Sequence, residues 1–281
     1  MLFGLDVPTT GEYADPRALA RLAAAAEASG WDGFFVWDVL DGADPWIALT
    51  AIALHTERMR IGTMVLALAR HQPWLVAKRF AELDHLSGGR VVCAVGLGYR
   101  DEDFSAFGAE PDRRLRADRL DEGLMLLDRL WTETDVSHRG RHYTLEGVTV
   151  TPRPLQSPRI PLWIAGGWPR RPPFRRAAKW DGVCFMAINA ETREWLSVEE
   201  FQAGVAYVRQ HRAAQGPFDI IASGETSGDR EAAIAKVQAF GSAGATWWVE
   251  EGLGWSLDEF REHIRRGPPR GEEAPMGAAL L

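Results

Sequence analysis

The stretch from Arg60 to Gly98 constrains this 281-residue chain more than any other. It opens with a strand-like run, Arg60-Ile-Gly-Thr-Met-Val-Leu66, and continues with a helix-like run from Trp74 to Leu86. Ser87-Gly-Gly89 ends the helix, because glycine accepts the left-handed conformation that closes a last turn. A second apolar run, Val91 to Val95, then meets Gly96-Leu-Gly98. Both strand-like runs are apolar at nearly every position rather than at every second one, as expected of strands covered on both faces, hence of a parallel sheet. The unit reads strand, helix, strand, with exposed glycine backbone at the carboxyl end of the last strand. In α/β proteins that end is where ligands bind.

The rest of the chain repeats the alternation. Leu2 to Val7 predicts a first strand and Asp15 to Ser29 an Ala-rich amphipathic helix, with Asp15 as N-cap, Pro16 in the first turn and Gly30 as the stop. Gly33-Phe-Phe-Val-Trp37 predicts a second strand ending at Asp38, and Asp44-Pro45 opens a helix to about His55. After strand four the period breaks. A short helix is expected over Asp101 to Phe107, a long one over Arg113 to Trp131, and a small hairpin over Val136 to Pro154. Strands five to eight are expected at Ile160–Ala165, Gly182–Met186, Phe218–Ala222 and Ala245–Val249. Helices are expected at Phe174–Lys179, Val198–Ala214, Asp229–Ser242 and Leu257–Arg266. Eight strands alternating with helices predict a (β/α)8 TIM barrel with a hairpin and helix insertion after strand four. The expected unit is one barrel domain over 1–266, with 267–281 as a loose Gly/Pro-rich tail. An open doubly wound sheet is the competing architecture. Against it, Val7-Pro-Thr-Thr-Gly11 carries no glycine fingerprint, and after Gly96 and Gly98 the third glycine position is Asp101.

Charge and composition exclude several classes. The net charge is −7, with no basic helix face, so nucleic acid is not an expected partner. No apolar stretch reaches the ~18 residues of a membrane span. The first residues lack a basic segment and a cleavage site, so no signal peptide is expected. Cys93 and Cys184 fall in predicted strands and read as buried thiols of a reducing, cytoplasmic compartment rather than a disulfide. The 12 tryptophans include several near strand ends, where a ring lines a pocket or fills the core.

In a barrel, functional residues sit at the carboxyl ends of strands. That rule selects Asp6, Trp37, Asp38, Leu66 to His71, Gly96 to Glu102, Gly166 to Arg171, Met186, Gly224-Glu225 and Glu250-Glu251. No metal site is expected, since the pair His138 and His142 lies in the hairpin without a neighbouring cysteine. No Gly-x-Ser-x-Gly nucleophile motif occurs. Gly166-Gly167 stand ahead of a helix and of Arg170, Arg171 and Arg175. They read either as an anion-binding turn or as a plain tight turn with solvated arginines. A phosphate at one side of an apolar pocket suits an organic cofactor. Candidate acid–base groups at the rim are Asp38, His71, Tyr99 and Glu102. Each also has a structural reading as a cap, a loop contact or a solvated side chain. The apolar run before Asp38 predicts a partly desolvated carboxyl with a raised pKa.

Several motifs together resemble the bacterial-luciferase-like family of flavin-dependent oxidoreductases and monooxygenases. They are Glu27-Ala-Ser-Gly-Trp-Asp-Gly33 leading to Trp37-Asp38, Arg60-Ile-Gly-Thr63, Leu83-Asp-His-Leu-Ser-Gly-Gly-Arg90, Val95-Gly-Leu-Gly98, Asp121-Glu-Gly-Leu124 through Leu130-Trp131, Pro161-Leu-Trp-Ile-Ala-Gly-Gly167, and Ala177-Ala-Lys-Trp-Asp-Gly182. The Ser-Gly-Gly-Arg run is the most distinctive. The resemblance implies a reduced flavin, FMN, or its deazaflavin analogue coenzyme F420 at the carboxyl face. It implies cofactor contacts from Thr63, Leu66, Ala67, Leu68, Gly96, Gly98, Tyr99, Gly166, Gly167, Trp168 and Arg171. It also implies a non-prolyl cis bond near Ala67-Leu68. Deazaflavin members often carry Asp-His after strand two; here Asp38 is followed by Val39, which favours FMN. The implied partners are a small organic substrate, a flavin reductase and a second copy in a homodimer. Two functions compete: an enzyme that passes hydride or activated oxygen to a small molecule, and a barrel that binds flavin without turnover.

Overall fold

The computed structural model describes residues 1–98, 101–187, 194–226 and 228–271. Eight parallel strands close a barrel: β1 (Leu2–Val7), β2 (Gly33–Val36), β3 (Arg60–Ala67), β4 (Val91–Gly96), β7 (Leu162–Gly166), β8 (Gly182–Phe185), β9 (Asp219–Gly224) and β10 (Trp247–Glu251). Outside it, β5 (Val136–Arg139) and β6 (Thr144–Val148) pair antiparallel as the expected hairpin. The helices are α1 (Pro16–Ala28), α2 (Pro45–His55), α3 (Pro73–Ser87), α4 (Glu102–Ser105), α5 (Arg113–Thr132), α6 (Arg171–Ala177), α7 (Val198–His211), α8 (Arg230–Ser242) and α9 (Leu257–Arg265). Among the described residues no helix is long and apolar enough to cross a membrane.

Local chemistry sets the helix ends. Asp15, Asp44, Asp112 and Asp229 cap α1, α2, α5 and α8 through side-chain oxygens on first-turn amides. Ser197 and Ser256 form capping boxes with Glu200 and Glu259. Gly88, at φ +69°, ends α3 in the left-handed conformation.

Two apolar layers make the core. The larger lies between barrel and helices. The smaller fills the barrel: Phe35, Met64, Val92, Ala94, Trp163, Cys184, Ile221, Trp247 and Val249. Phe35, Trp163 and Trp247 pack with ring centroids 5.4–6.0 Å apart. They need Gly182 beside them, since a Cβ there would sit 2.4 Å from Trp163. Both indole N–H groups, of Trp163 and Trp247, donate to Asp219 at 3.1 Å at the amino end. These two tryptophans are therefore a plug, not pocket lining. Cys93 and Cys184 are buried and unpaired.

The Ser-Gly-Gly-Arg run has a structural role at the amino end. Arg90 is 9% exposed. Its guanidinium donates to the carbonyls of Ser87, Met59, Ala53 and Thr56 and to the Thr56 hydroxyl. It ties the end of α2, the start of β3 and the end of α3 together.

Two expectations need correction. The non-prolyl cis bond is at Met64–Val65, inside β3, rather than near Ala67-Leu68. The chain also does not leave the barrel at Gly267. Pro268 and Pro269 are buried, and Arg270 pairs with Asp32 at 2.6 Å and lies over the Phe3 ring. The charge on Asp32 and the open ring face hold this segment down; residues 272–281 lie outside the described ones.

Candidate active site

The carboxyl ends of β2 and β3 meet at Asp38. One carboxylate oxygen, Oδ2, accepts the Ala67 amide at 2.9 Å and the His71 ring Nε2 at 2.8 Å. The other, Oδ1, pairs with Arg70 at 2.9 Å, and Arg70 also donates to the Asp38 carbonyl at 2.7 Å. Burial alone would push this carboxyl up. His71, Arg70 and the Ala67 amide outweigh it and hold Asp38 below the usual carboxylate range. The raised pKa expected from the apolar run before it is overturned, because the partners arrive from the next loop. Asp38 is an anion that fixes a histidine and an arginine. His71 keeps 19% side-chain exposure and stands edge-on to Trp46.

The irregularity in β3 decides which side chains reach the lumen. Pairing with β4 shifts register between Thr63 and Leu66, and a shift of one residue exchanges the faces of a strand. Met64 belongs to the inner core and half-buried Val65 packs beside it. Leu66 and Leu68 turn outward and are fully buried against the helices. Their side chains are therefore taken up by the outer core, and Val65 holds the rim position expected of them. Thr63 is also fully buried, its hydroxyl donating to the Ala94 carbonyl at 2.9 Å. Gly96 faces Val65, where an added Cβ would lie 2.9 Å from Cγ2. Gly98, at φ +85°, lies against the Phe104 ring and Ala67. Phe104 in turn carries Arg116 at 4.1 Å, which binds Asp101 and pins the loop after β4. Glu102 is exposed at the start of α4, and Tyr99 lies outside the described residues.

Across the mouth, Gly166 packs under Pro173, where a Cβ would come within 2.5 Å of the proline Cβ. Gly167 is different: among the described residues only the Ala187 carbonyl, at 3.7 Å, lies near its missing Cβ. The following helix starts at Arg171, and Pro172 and Pro173 remove two amides that a helix end would otherwise present. An anion here would rest on Gly167 and side chains. Trp168 packs on Phe174, and exposed Arg171 stacks on Tyr207. The open cradle at Gly167 and the half-buried apolar side chains of Val65 and Met186 fit the edge of a flat ring system.

Asp6 and Glu251, named among strand ends but given no role by the sequence, are register partners on β1 and β10 and share a hydrogen bond. They are 1% and 4% exposed. Burial pushes both carboxyls well up, and for Glu251 the Asp6 charge adds to it. The pair holds a proton where isolated carboxyls would not, and the Trp37 indole donates to Asp6 at 2.8 Å. Neighbouring Glu250 points outward to Thr226 and Trp248 and titrates at about 7, raised by burial. Buried His263, 3.7 Å from Glu250, is lowered to about 4. A carboxyl raised by folding adds stability below its unfolded pKa and loses it as pH rises. A lowered histidine acts oppositely, gaining stability between about 4 and its ordinary value near 6.5. Above pH 6.5 only the carboxyl effect remains. The melting temperature should therefore fall between pH 6.5 and 8.5. Glu251→Gln, which can donate to an ionised Asp6, should flatten that slope; an unchanged slope in thermal melts would refute the shared proton.

The family model for luciferase-like monooxygenases matches residues 2–278. Among curated proteins, the chain is 35% identical over 170 residues to an F420-dependent glucose-6-phosphate dehydrogenase of Amycolatopsis mediterranei, covering 57% of this chain and 50% of that one. The chain thus spans about half the length of that curated relative. Among solved structures, the coenzyme F420-dependent tetrahydromethanopterin reductase of Methanopyrus kandleri superposes with a TM-score of 0.78 at 16% identity, covering 95% and 98% of the two chains. A monooxygenase from Streptomyces bottropensis gives 0.75 at 22% identity, covering 94% and 97%. At these identities the structural likeness concerns the fold.

Proposed function

The chain belongs to the luciferase-like monooxygenase family, and from that premise we propose that it is a cytoplasmic oxidoreductase transferring hydride between coenzyme F420 and a small organic substrate. The observation that carries this is the 2.8 Å contact between Asp38 and His71. The sequence argued for FMN because no histidine follows Asp38. The fold supplies one from the next loop, so a carboxylate–imidazole pair stands at the end of strand two after all. The sequence relatives named for F420 support the same preference.

When bound, the deazaflavin supplies the two-electron donor or acceptor. The protein supplies position and a proton path. With Asp38 ionised, His71 donates its Nε2–H to it, which leaves Nδ1 to take up or return the proton of a substrate hydroxyl. Asp38 steadies the charge that His71 gains. Arg70 keeps Asp38 from turning away, and Val65, Gly96 and Gly167 would hold the ring. Asp38 is thus a positioning residue and His71 the acid–base group.

Titration of the purified protein with F420 and with FMN tests the reading. Saturable F420 binding is expected, weakened at least tenfold, roughly 1.4 kcal/mol, in Gly167→Val. Among the described residues the added Cβ meets only the Ala187 carbonyl, at an ordinary 3.7 Å, so melting should be unchanged. Saturable FMN binding with no response to F420 would reverse the choice of cofactor. Unchanged affinity in a folded Gly167→Val protein would make that glycine a plain turn.

A further inference from the structure

A second cavity, of about 230 Å³, lies beside the barrel mouth, between the turn that leads from β3 into α3, helix α5 and the β5–β6 hairpin. Its walls include Arg70, His71, Trp74, Arg119, His142 and Tyr143. In the sequence, His142 falls in the expected hairpin and Arg119 in the long helix before it. We propose that this cavity is a binding site for a small oxyanion, a phosphate or carboxylate group, held by Arg119 and His142.

The donors outnumber the acceptors. Half-buried Arg119 makes no ion pair with a described residue. Among the described residues the buried Nε2 of His142 has no hydrogen-bond partner, and neither has the buried Nε of Arg70. The neighbouring carboxylates are engaged elsewhere. Asp38 is held by Arg70, His71 and the Ala67 amide. Glu122 accepts from His138 and from the amides of His142 and Tyr143. Asp118 pairs with Arg141. A buried polar group left without a partner is costly, and two such groups on residues that line this cavity, beside a guanidinium with no ion pair among the described residues, describe a site short of a negative partner. An oxyanion supplies several acceptor oxygens and a charge that arginine cannot lose by titration. Trp74 and Tyr143, edge to face at 6.2 Å, offer an apolar wall to the carbon part of a ligand. On the reading above, an acidic group held here would stand beside His71, but the binding itself does not depend on that reading.

The test is calorimetric titration of the purified protein with inorganic phosphate and with succinate, at ionic strength fixed with chloride. No redox cofactor or turnover enters it. One-to-one binding of at least one of the two is expected. Arg119→Gln should weaken it tenfold or more, as expected for loss of a charge-assisted hydrogen bond. His142→Leu should weaken it too while leaving the ligand-free melting temperature unchanged or raised, because the Nε2 removed has no hydrogen-bond partner among the described residues. Arg139→Gln, an exposed hairpin position outside the cavity walls, should bind like the wild type. Saturation by phosphate alone marks a phosphate site, and by succinate alone a carboxylate site. Absence of saturable binding of either anion, or equal binding by Arg119→Gln, overturns the proposal.

Discussion

Replacing His71 by glutamine is expected to lower kcat by roughly 10²–10⁴-fold, the range for loss of a positioned acid–base group, with cofactor affinity nearly unchanged. Glutamine can still donate to Asp38 but cannot accept a proton at neutral pH, so the variant separates proton transfer from positioning. Asp38→Asn is the companion. It removes the anion that faces both Arg70 at 2.9 Å and His71 at 2.8 Å. Asn cannot balance Arg70, so the turn from Ala67 to His71 loosens, and kcat should fall along with the melting temperature. The pH profile distinguishes the two variants further. In the wild type Asp38 is ionised throughout the neutral range, because its pKa is lowered. Its contribution to stability is therefore present above its unfolded pKa and lost only as pH falls through the lower folded value. Activity limbs in the neutral range should then not report Asp38. Wild-type turnover in His71→Gln at saturating cofactor and substrate would remove His71 from the acid–base role.

Arg90→Met should be the most damaging single change outside the site. It removes a buried cation that satisfies four backbone carbonyls and the Thr56 hydroxyl. Methionine fills much of the volume but offers no donor, and each buried acceptor left unmade costs about 1–3 kcal/mol. Water will reach some of them, so a loss of about 3–5 kcal/mol is reasonable, in line with the breaking of a buried polar network. For a barrel of this size that lowers the melting temperature by about 10 °C. Arg90 lies at the amino end of the barrel, opposite the mouth, so the folded fraction should keep its cofactor affinity. A loss of cofactor binding with unaltered melting would assign the motif to the site instead.

The sequence by itself determined the barrel. Strands apolar on both faces, helices between them, Asp and Ser caps and glycine stops are local signals, and each acts within a few residues of itself. They also pointed to the strand ends where the candidate site residues gather, since all eight strands run parallel and the turns after them lie on one face. Asp38, His71, Gly96 and Gly167 were legible on that rule. What they do was not. The pKa of Asp38 depends on Arg70, His71 and the Ala67 amide, which lie about thirty residues further along the chain; the apolar run before it predicted the opposite sign. The register shift in β3 reversed the faces of Val65 and Leu66, and a two-residue alternation read along one strand cannot show where its pairing slips. Asp6 and Glu251 are 245 positions apart, and only closure of β1 against β10 makes them neighbours. Arg119, His142 and Arg70 come from a helix, a hairpin and a turn, and they line one cavity only once the elements are packed. Local sequence fixes backbone conformation and burial pattern; charge state and ligand complementarity belong to groups that meet in space, and folding alone decides which ones meet.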